Sequence, residues 1–355
     1  MVLIIRLTRF TACMLALLLL WPETSASAEK APEIQAKSAI MITADGQCLY
    51  EKNADSRMLI ASTTKLMTAL VCLEQCGLDE PVSVKPAHCA VEGSSMYLKA
   101  GDRYTVRELL TGLLLASGND AAQALALHCG GNTARFVAWM NEKAAALGME
   151  NSHFANPHGL DDPEHYGTAA DLAKLMAACL REPALLGILK QDHAAIREQY
   201  YGNHNKLLGS CPGCLGGKTG YTQAAGRCLV SACERDGTRL ICVTLNAPED
   251  WKDHKSLYDW GFAHYVSRDV CKTLSYRLPV YGGDRREIEL RAEPLELLLP
   301  KDAELRLSVE LPGYVLAPVR KGEIGGRVTV LRNGQVLGAS ALRFTEEVKT
   351  EETRS

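Results

Sequence analysis

Three short strings fall in a fixed order along the chain: Ser62-Thr63-Thr64-Lys65, then Ser117-Gly118-Asn119, then Lys218-Thr219-Gly220. Each is weak alone, since short motif matches carry a high false-positive risk. Their order and spacing are what constrain the fold. The gaps are 55 residues from Ser62 to Ser117 and 101 from Ser117 to Lys218. A fold that uses all three must bring a helix start, a turn and a strand to one place.

The surrounding sequence supplies those elements. Ser38–Ile42 and Gln47–Tyr50 read as two strands about an Asp45-Gly46 turn. From Thr63 to Glu74 the apolar residues Leu66, Met67, Leu70 and Leu73 recur at helical spacing, so Ser62 sits at a helix start. Val106–Ala116, Asp120–Cys129, Thr133–Leu147 and Ala169–Leu180 continue a helical block. Arg227–Cys233 and Arg239–Leu245 are apolar runs joined through Asp236-Gly237, a hairpin signal, and Trp251–Tyr265 is again helical. Strands at both ends with helices between predict a sandwich in which the first and last strands share one sheet.

After about residue 268 the period changes. Ile288/Leu290, Leu305/Leu307/Val309/Leu311 and Val328/Val330 alternate with polar residues, and Asn333-Gly334 marks a two-residue hairpin. This predicts a small all-β domain over 268–344, with a catalytic-size domain over 29–267 ahead of it. The polar, Glu-rich tail 345–355 is expected to be disordered.

The N-terminus reads as an export signal. Arg6 and Arg9 precede the apolar run Phe10–Trp21, Pro22 breaks it, and Ala26-Ser27-Ala28 offers a cleavage site, giving a signal peptide over 1–28. The expected location is therefore outside the cytoplasm, in the envelope or secreted. The net charge of −3 over 355 residues gives no basic stripe for nucleic acid. Of 13 cysteines, most lie inside apolar runs and read as buried thiols rather than a disulfide framework. Cys211-Pro212-Gly213-Cys214 stands apart just before the third string. Its spacing fits a local disulfide, a redox pair, two thiols shaping the loop, or half a metal site. No second C-x-x-C or paired histidine follows, so no metal is expected.

Residue types in the three strings suggest one chemistry. A serine hydroxyl needs a base to attack a carbonyl. Lys65, one helical turn from Ser62, can serve when burial and a neighbouring cation such as Lys218 lower its proton affinity. Unsatisfied N–H groups at the helix start favour an oxyanion there. Ser117 and Asn119, two apart in an extended loop, can face the same way and relay a proton or bind a backbone carbonyl. Lys218 and Thr219 on a strand edge can meet a carboxylate, and Gly220 lets a peptide approach. Singly, each string also reads as a capped helix, a connecting turn or a glycine-rich hairpin.

Taken together, they resemble the D-alanyl-D-alanine carboxypeptidases, the low-molecular-mass penicillin-binding proteins of peptidase family S11. Ala61–Leu70, Ser117–Ala122, Met140–Lys143, Asn156–Leu160 and Lys218–Thr222 are similar to family segments, and the likeness spans roughly residues 36–265. The resemblance implies an α/β sandwich of the β-lactamase/transpeptidase type with a helical block, plus a small all-β C-terminal domain. It implies Ser62 as acylated nucleophile, Lys65 as base, and Ser117 and Asn119 as second-motif partners. Lys218, Thr219, Gly220 and Tyr221 then bind substrate, with the Ser62 and Tyr221 amides as oxyanion hole. The implied substrate is a peptidoglycan stem ending in D-Ala-D-Ala, with β-lactams as covalent inhibitors and no cofactor. The tail lacks the basic amphipathic helix that anchors many relatives to membranes. A DD-endopeptidase is the nearest alternative. A β-lactamase fits less well, since the second string is Ser-Gly-Asn and the 156–160 loop lacks a glutamate. An inactive wall-binding protein would not need the intact nucleophile.

Overall fold

A computed structural model of the chain describes residues 2–5 and 31–351. The expected signal, including Phe10–Trp21 and the Ala26–Ala28 cleavage site, lies outside the described residues. The chain divides into two compact units between Ala263 and His264. That division falls ahead of residue 268 because Tyr265–Asp269 forms a strand paired with Glu296–Pro300 in the second unit.

The first unit is built on a five-stranded antiparallel sheet. Its order is Cys48–Lys52, Ser38–Thr43, Thr238–Leu245, Gly226–Arg235, Cys214–Thr222. The first two strands of the unit thus complete a sheet begun by its last three, as the sequence pattern predicts. Cys214–Thr222, which carries the third string, ends the sheet, so its outer backbone edge is open to an added strand. Ile40, Ile42, Val230, Ala232, Ile241 and Val243 line one face and join the main core. The helix Ala169–Cys179 packs there. On the other face His254, from the helix Asp250–His264, lies 2.8 Å from Ser231 Oγ and 3.0 Å from Thr244 Oγ1.

The helix Lys65–Gln75 runs through the helical block rather than over its surface. Every residue from Lys65 to Cys72 is buried, polar ones included, because helices Val106–Leu115, Asn119–Gly130, Thr133–Ala146 and Ala169–Cys179 surround it. A one-sided apolar stripe underestimates such burial. Caps fix the neighbours. Thr105 accepts from the Glu108 amide while Glu108 accepts from the Thr105 amide, a reciprocal pair that starts Val106–Leu115. A short helix, Pro183–Leu189, begins at a proline, whose missing N–H costs nothing at a first helical position.

Cys76 and Cys129 form a disulfide; the other described cysteines are free. Burial pushes the thiols of Cys72, Cys179 and Cys228 up to about 12.

The second unit is a β-sheet ordered Arg306–Glu310, Ile324–Arg332, Gln335–Phe344, Glu287–Ala292, Ser275–Tyr281. Val2–Ile5 runs parallel to its first strand. Ile288, Leu290, Leu307, Val309, Val328 and Val330 point into one core, as their alternation predicts. The tail departs from expectation. Val348 is fully buried and exchanges two 2.9 Å backbone hydrogen bonds with Val319, while Thr350 bridges Gly283. One apolar residue in an otherwise polar segment, together with main-chain pairing, suffices to order it through Glu351.

Candidate active site

Ser62 lies in a short 3-10 turn, Ala61–Thr64, that leads directly into Lys65–Gln75. The turn is held from two sides. His165 Nε2 lies 2.7 Å from Thr64 Oγ1, and the loop 156–160 packs so tightly that a Cβ on Gly159 would meet the Ala61 carbonyl oxygen at 2.0 Å. Asn156 folds that loop by accepting from the Gly159 amide at 2.7 Å, and Thr68 donates to the Pro157 carbonyl at 2.6 Å.

Lys65 is completely buried. Its Nζ lies 2.8 Å from Ser62 Oγ, 2.7 Å from Asn119 Oδ1 and 2.5 Å from the His158 carbonyl oxygen. Burial, reinforced by the charge of Lys218, holds its pKa well below the ordinary lysine value. Lys218 is also buried and donates to the Thr219 carbonyl at 2.8 Å; burial brings it down to about 7. His158 falls to about 4, through burial first and Lys65 second. Its part in the site is its carbonyl, which faces Lys65 Nζ.

The second string does not stay an extended loop. Ser117 has a left-handed backbone, φ +61°, and Asn119 is the first residue of the helix Asn119–Gly130. Asn119 is clamped by its amide N–H to the Ser94 carbonyl at 2.7 Å and by Nδ2 to the Glu92 carbonyl at 2.6 Å. With Nδ2 committed there, Oδ1 is turned to Lys65.

An open cleft of about 540 Å³ is lined by five of the eight expected residues: Ser62, Ser117, Thr219, Gly220 and Tyr221. Lys65, Asn119 and Lys218 lie buried behind them. Other cleft residues carry no sequence signal of their own: Ser94, Asn203, His204, Lys206, Arg227, Asp250 and Trp251. Arg227 Nη2 pairs with Asp250 at 2.9 Å, with its guanidinium over the Trp251 ring. Asp120 was also missed. It is buried and accepts from the amides of Met96 (2.9 Å), Ala121 (2.9 Å) and Leu98 (3.0 Å) and from Ser95 Oγ (2.7 Å), fixing the segment that clamps Asn119. An acidic residue next to Asn119 was its only trace in the sequence. Among the described residues, potential metal ligands gather as Cys72/Cys76/Cys129 and Cys76/Glu80/His128, and neither group includes a cleft residue.

A serine hydroxyl beside a buried amine, at the head of a helix and next to an open strand edge, defines a serine acyl-transferring enzyme. The D-alanyl-D-alanine carboxypeptidase model of peptidase family S11 matches residues 25–249, and the chain belongs to that family. It is 31% identical over 336 residues to D-alanyl-D-alanine carboxypeptidase DacF of Bacillus subtilis, covering 89% of this chain and 86% of the relative. It is 38% identical over 245 residues to DacB2 of Mycobacterium tuberculosis, covering 65% of this chain and 84% of the relative. Penicillin binding protein 5 from Haemophilus influenzae superposes with a TM-score of 0.73 at 30% identity, over 90% of this chain and 99% of that one.

Proposed function

We propose that Ser62 is the nucleophile and Lys65 its base in a serine-type D-Ala-D-Ala carboxypeptidase, the activity of this family. The observation that carries the assignment is the surroundings of Lys65 Nζ. A neutral amine has two N–H groups and one lone pair. The Asn119 and His158 carbonyl oxygens can only accept, so they take both N–H groups. The lone pair is left for the Ser62 hydroxyl, 2.8 Å away. Burial and Lys218 favour that neutral state.

The reaction then runs in two stages. Ser62 Oγ attacks the carbonyl carbon of the penultimate D-alanine as its proton passes to Lys65. The amides of Ser62 and Tyr221 receive the oxyanion. Ser117 hands its proton to the departing nitrogen and regains one from Lys65, the C–N bond breaks, and terminal D-alanine leaves. Water, deprotonated in turn, hydrolyses the ester. Lys218 and Thr219 hold the substrate carboxylate, whose charge restores the Lys218 proton. The peptide stem lies along the open edge of Cys214–Thr222. The substrate is the peptidoglycan stem, which places the work outside the cytoplasm, and a β-lactam enters as a stand-in for the same carbonyl.

Mass spectrometry of defined muropeptides tests this. The mature protein removes one alanine from a pentapeptide monomer and the Ser62→Ala variant does not. Cleavage of a cross-linked dimer in place of the monomer would make the enzyme an endopeptidase, and an unchanged Ser62→Ala rate would remove Ser62 from the mechanism.

A further inference from the structure

Three cysteines meet at the root of the strand that carries Lys218. Cys211 follows the short helix Leu207–Ser210, Cys214 opens the strand Cys214–Thr222, and Cys233 lies on its neighbour Gly226–Arg235. The C-x-x-C spacing suggests a bond between Cys211 and Cys214. The fold turns both toward Cys233 instead. Cys211 Sγ is 3.6 Å from Cys233 Sγ, and Cys214 is the direct ladder partner of Cys233. The turn is locked in that position. A Cβ on Gly213 would strike the Glu234 carbonyl at 2.1 Å, and the Glu234 amide donates to the Gly213 carbonyl at 2.8 Å.

A cation completes the cluster. Arg235 Nη2 lies 3.6 Å from Cys211 Sγ. Its guanidinium is fixed by Nε to the Pro212 carbonyl at 3.0 Å, by Asp259 at 3.3 Å and by stacking over Phe262 at 4.5 Å. The Cys233 thiol hydrogen bond, with Arg235 behind it, pulls Cys211 below the ordinary thiol range, whereas Cys233 is raised and keeps its proton. The other buried thiols Cys72, Cys179 and Cys228 shift the opposite way. A thiolate beside a protonated thiol and a fixed cation is the arrangement that oxidises first.

We propose that Cys211 and Cys233 form an oxidation site, closed to a disulfide by hydrogen peroxide. Cys211 is only 4% exposed, so the oxidant must be about the size of water. The Cys211 thiolate attacks one peroxide oxygen, the O–O bond breaks, and hydroxide leaves and is protonated by solvent. Cys233 sulfur then attacks the sulfenic sulfur, the S–O bond breaks, and the thiol proton departs with that oxygen as water. Two thiols are oxidised and one peroxide is reduced to two waters.

The test uses the full chain, treated with hydrogen peroxide, alkylated and digested for peptide mass spectrometry. A Cys211–Cys233 cross-link that dithiothreitol reverses is expected. In Cys233→Ala the reaction stops at Cys211 sulfenic acid, trapped by dimedone. Arg235→Gln, which removes the cation and leaves all three thiols in place, slows the loss of Cys211 about 10-fold relative to exposed Cys48. Labelled-penicillin acylation of Ser62 reports that each variant is folded. A Cys211–Cys214 cross-link, or Cys211 still alkylatable after Cys48 has oxidised, overturns the proposal.

Discussion

Gly220 and Ser62 approach so closely that a Cβ on residue 220 would sit 3.0 Å from the Ser62 amide nitrogen. The same atom would lie 3.0 Å from Ala61 Cβ and 3.1 Å from the Ile60 carbonyl oxygen. The strand edge and the Ser62 turn are thus in backbone contact, and the amide of Tyr221 follows directly. The glycine in the third string is a spacing requirement between two elements 158 residues apart in sequence.

Gly220→Ala therefore pushes the strand away by a few tenths of an ångström and misaligns the two amides proposed to hold the oxyanion. Acylation by labelled penicillin is expected to slow by about 10- to 100-fold. Melting temperature changes little, because the strand is at the edge of its sheet. A wild-type acylation rate constant would show that the two amides do not act together.

The two buried lysines set the pH dependence. In the proposed mechanism acylation needs neutral Lys65, whose pKa is well below the usual value, so kcat/KM falls as acid protonates it. The carboxylate contact proposed for Lys218 needs its charged form, which in the free enzyme loses its proton at about 7, so kcat/KM falls again on the alkaline side. A bell is expected for kcat/KM, with the alkaline limb moved upward in kcat because bound carboxylate holds the Lys218 proton. A profile still rising in kcat/KM through pH 9 would remove Lys218 from carboxylate binding.

Asp120 accepts four hydrogen bonds, three of them from backbone amides. In Asp120→Asn the Nδ2 group faces either the Leu98 amide or the pair from Met96 and Ala121, donor against donor. The cost is about 2 kcal/mol. That lowers the melting temperature by roughly 5 °C for a unit of this size. Asn119 loosens with the 94–98 segment, so acylation slows as well. A variant as stable as wild type, measured by thermal unfolding, would mean that these amides find water instead.

How much of this was legible follows from period and proximity. The Ser62–Lys65 pair could be read because one helical turn links them, and the Asn333-Gly334 hairpin because its turn chemistry is local. Asp120 could not be read, since its partners Ser95 to Leu98 are two dozen residues away in a segment without period. The pairing of Cys211 with Cys233 was hidden for the same reason: only the antiparallel register brings residue 233 to the turn. The hairpin His193–Ile196 with Gln199–Gly202 is too short for alternation to separate it from loop. Composition misled at the tail, where acidic residues outnumber the single apolar side chain that decides the structure.

That side chain gives a direct test of the tail. Val348 is fully buried in the core with Val319, Val280 and Phe344, and its neighbours are tied by main-chain bonds: Glu351 N to the Gly282 carbonyl at 3.0 Å and Asp284 N to the Lys349 carbonyl at 2.9 Å. Arg285 and Glu346 add an ion pair at the surface, a contact of small weight. Val348→Ala should destabilise the second unit by about 2 kcal/mol, the worth of one buried valine side chain. Removing 345–351 should cost more, because the Val319 amide and carbonyl then lose their partners. Hydrogen exchange at the Val319 amide should speed up in both variants, more in the truncation, while penicillin acylation of Ser62 is unchanged. Wild-type exchange at Val319 in the truncated chain would mean that this residue is held from its other side, and that the tail packs without supporting it.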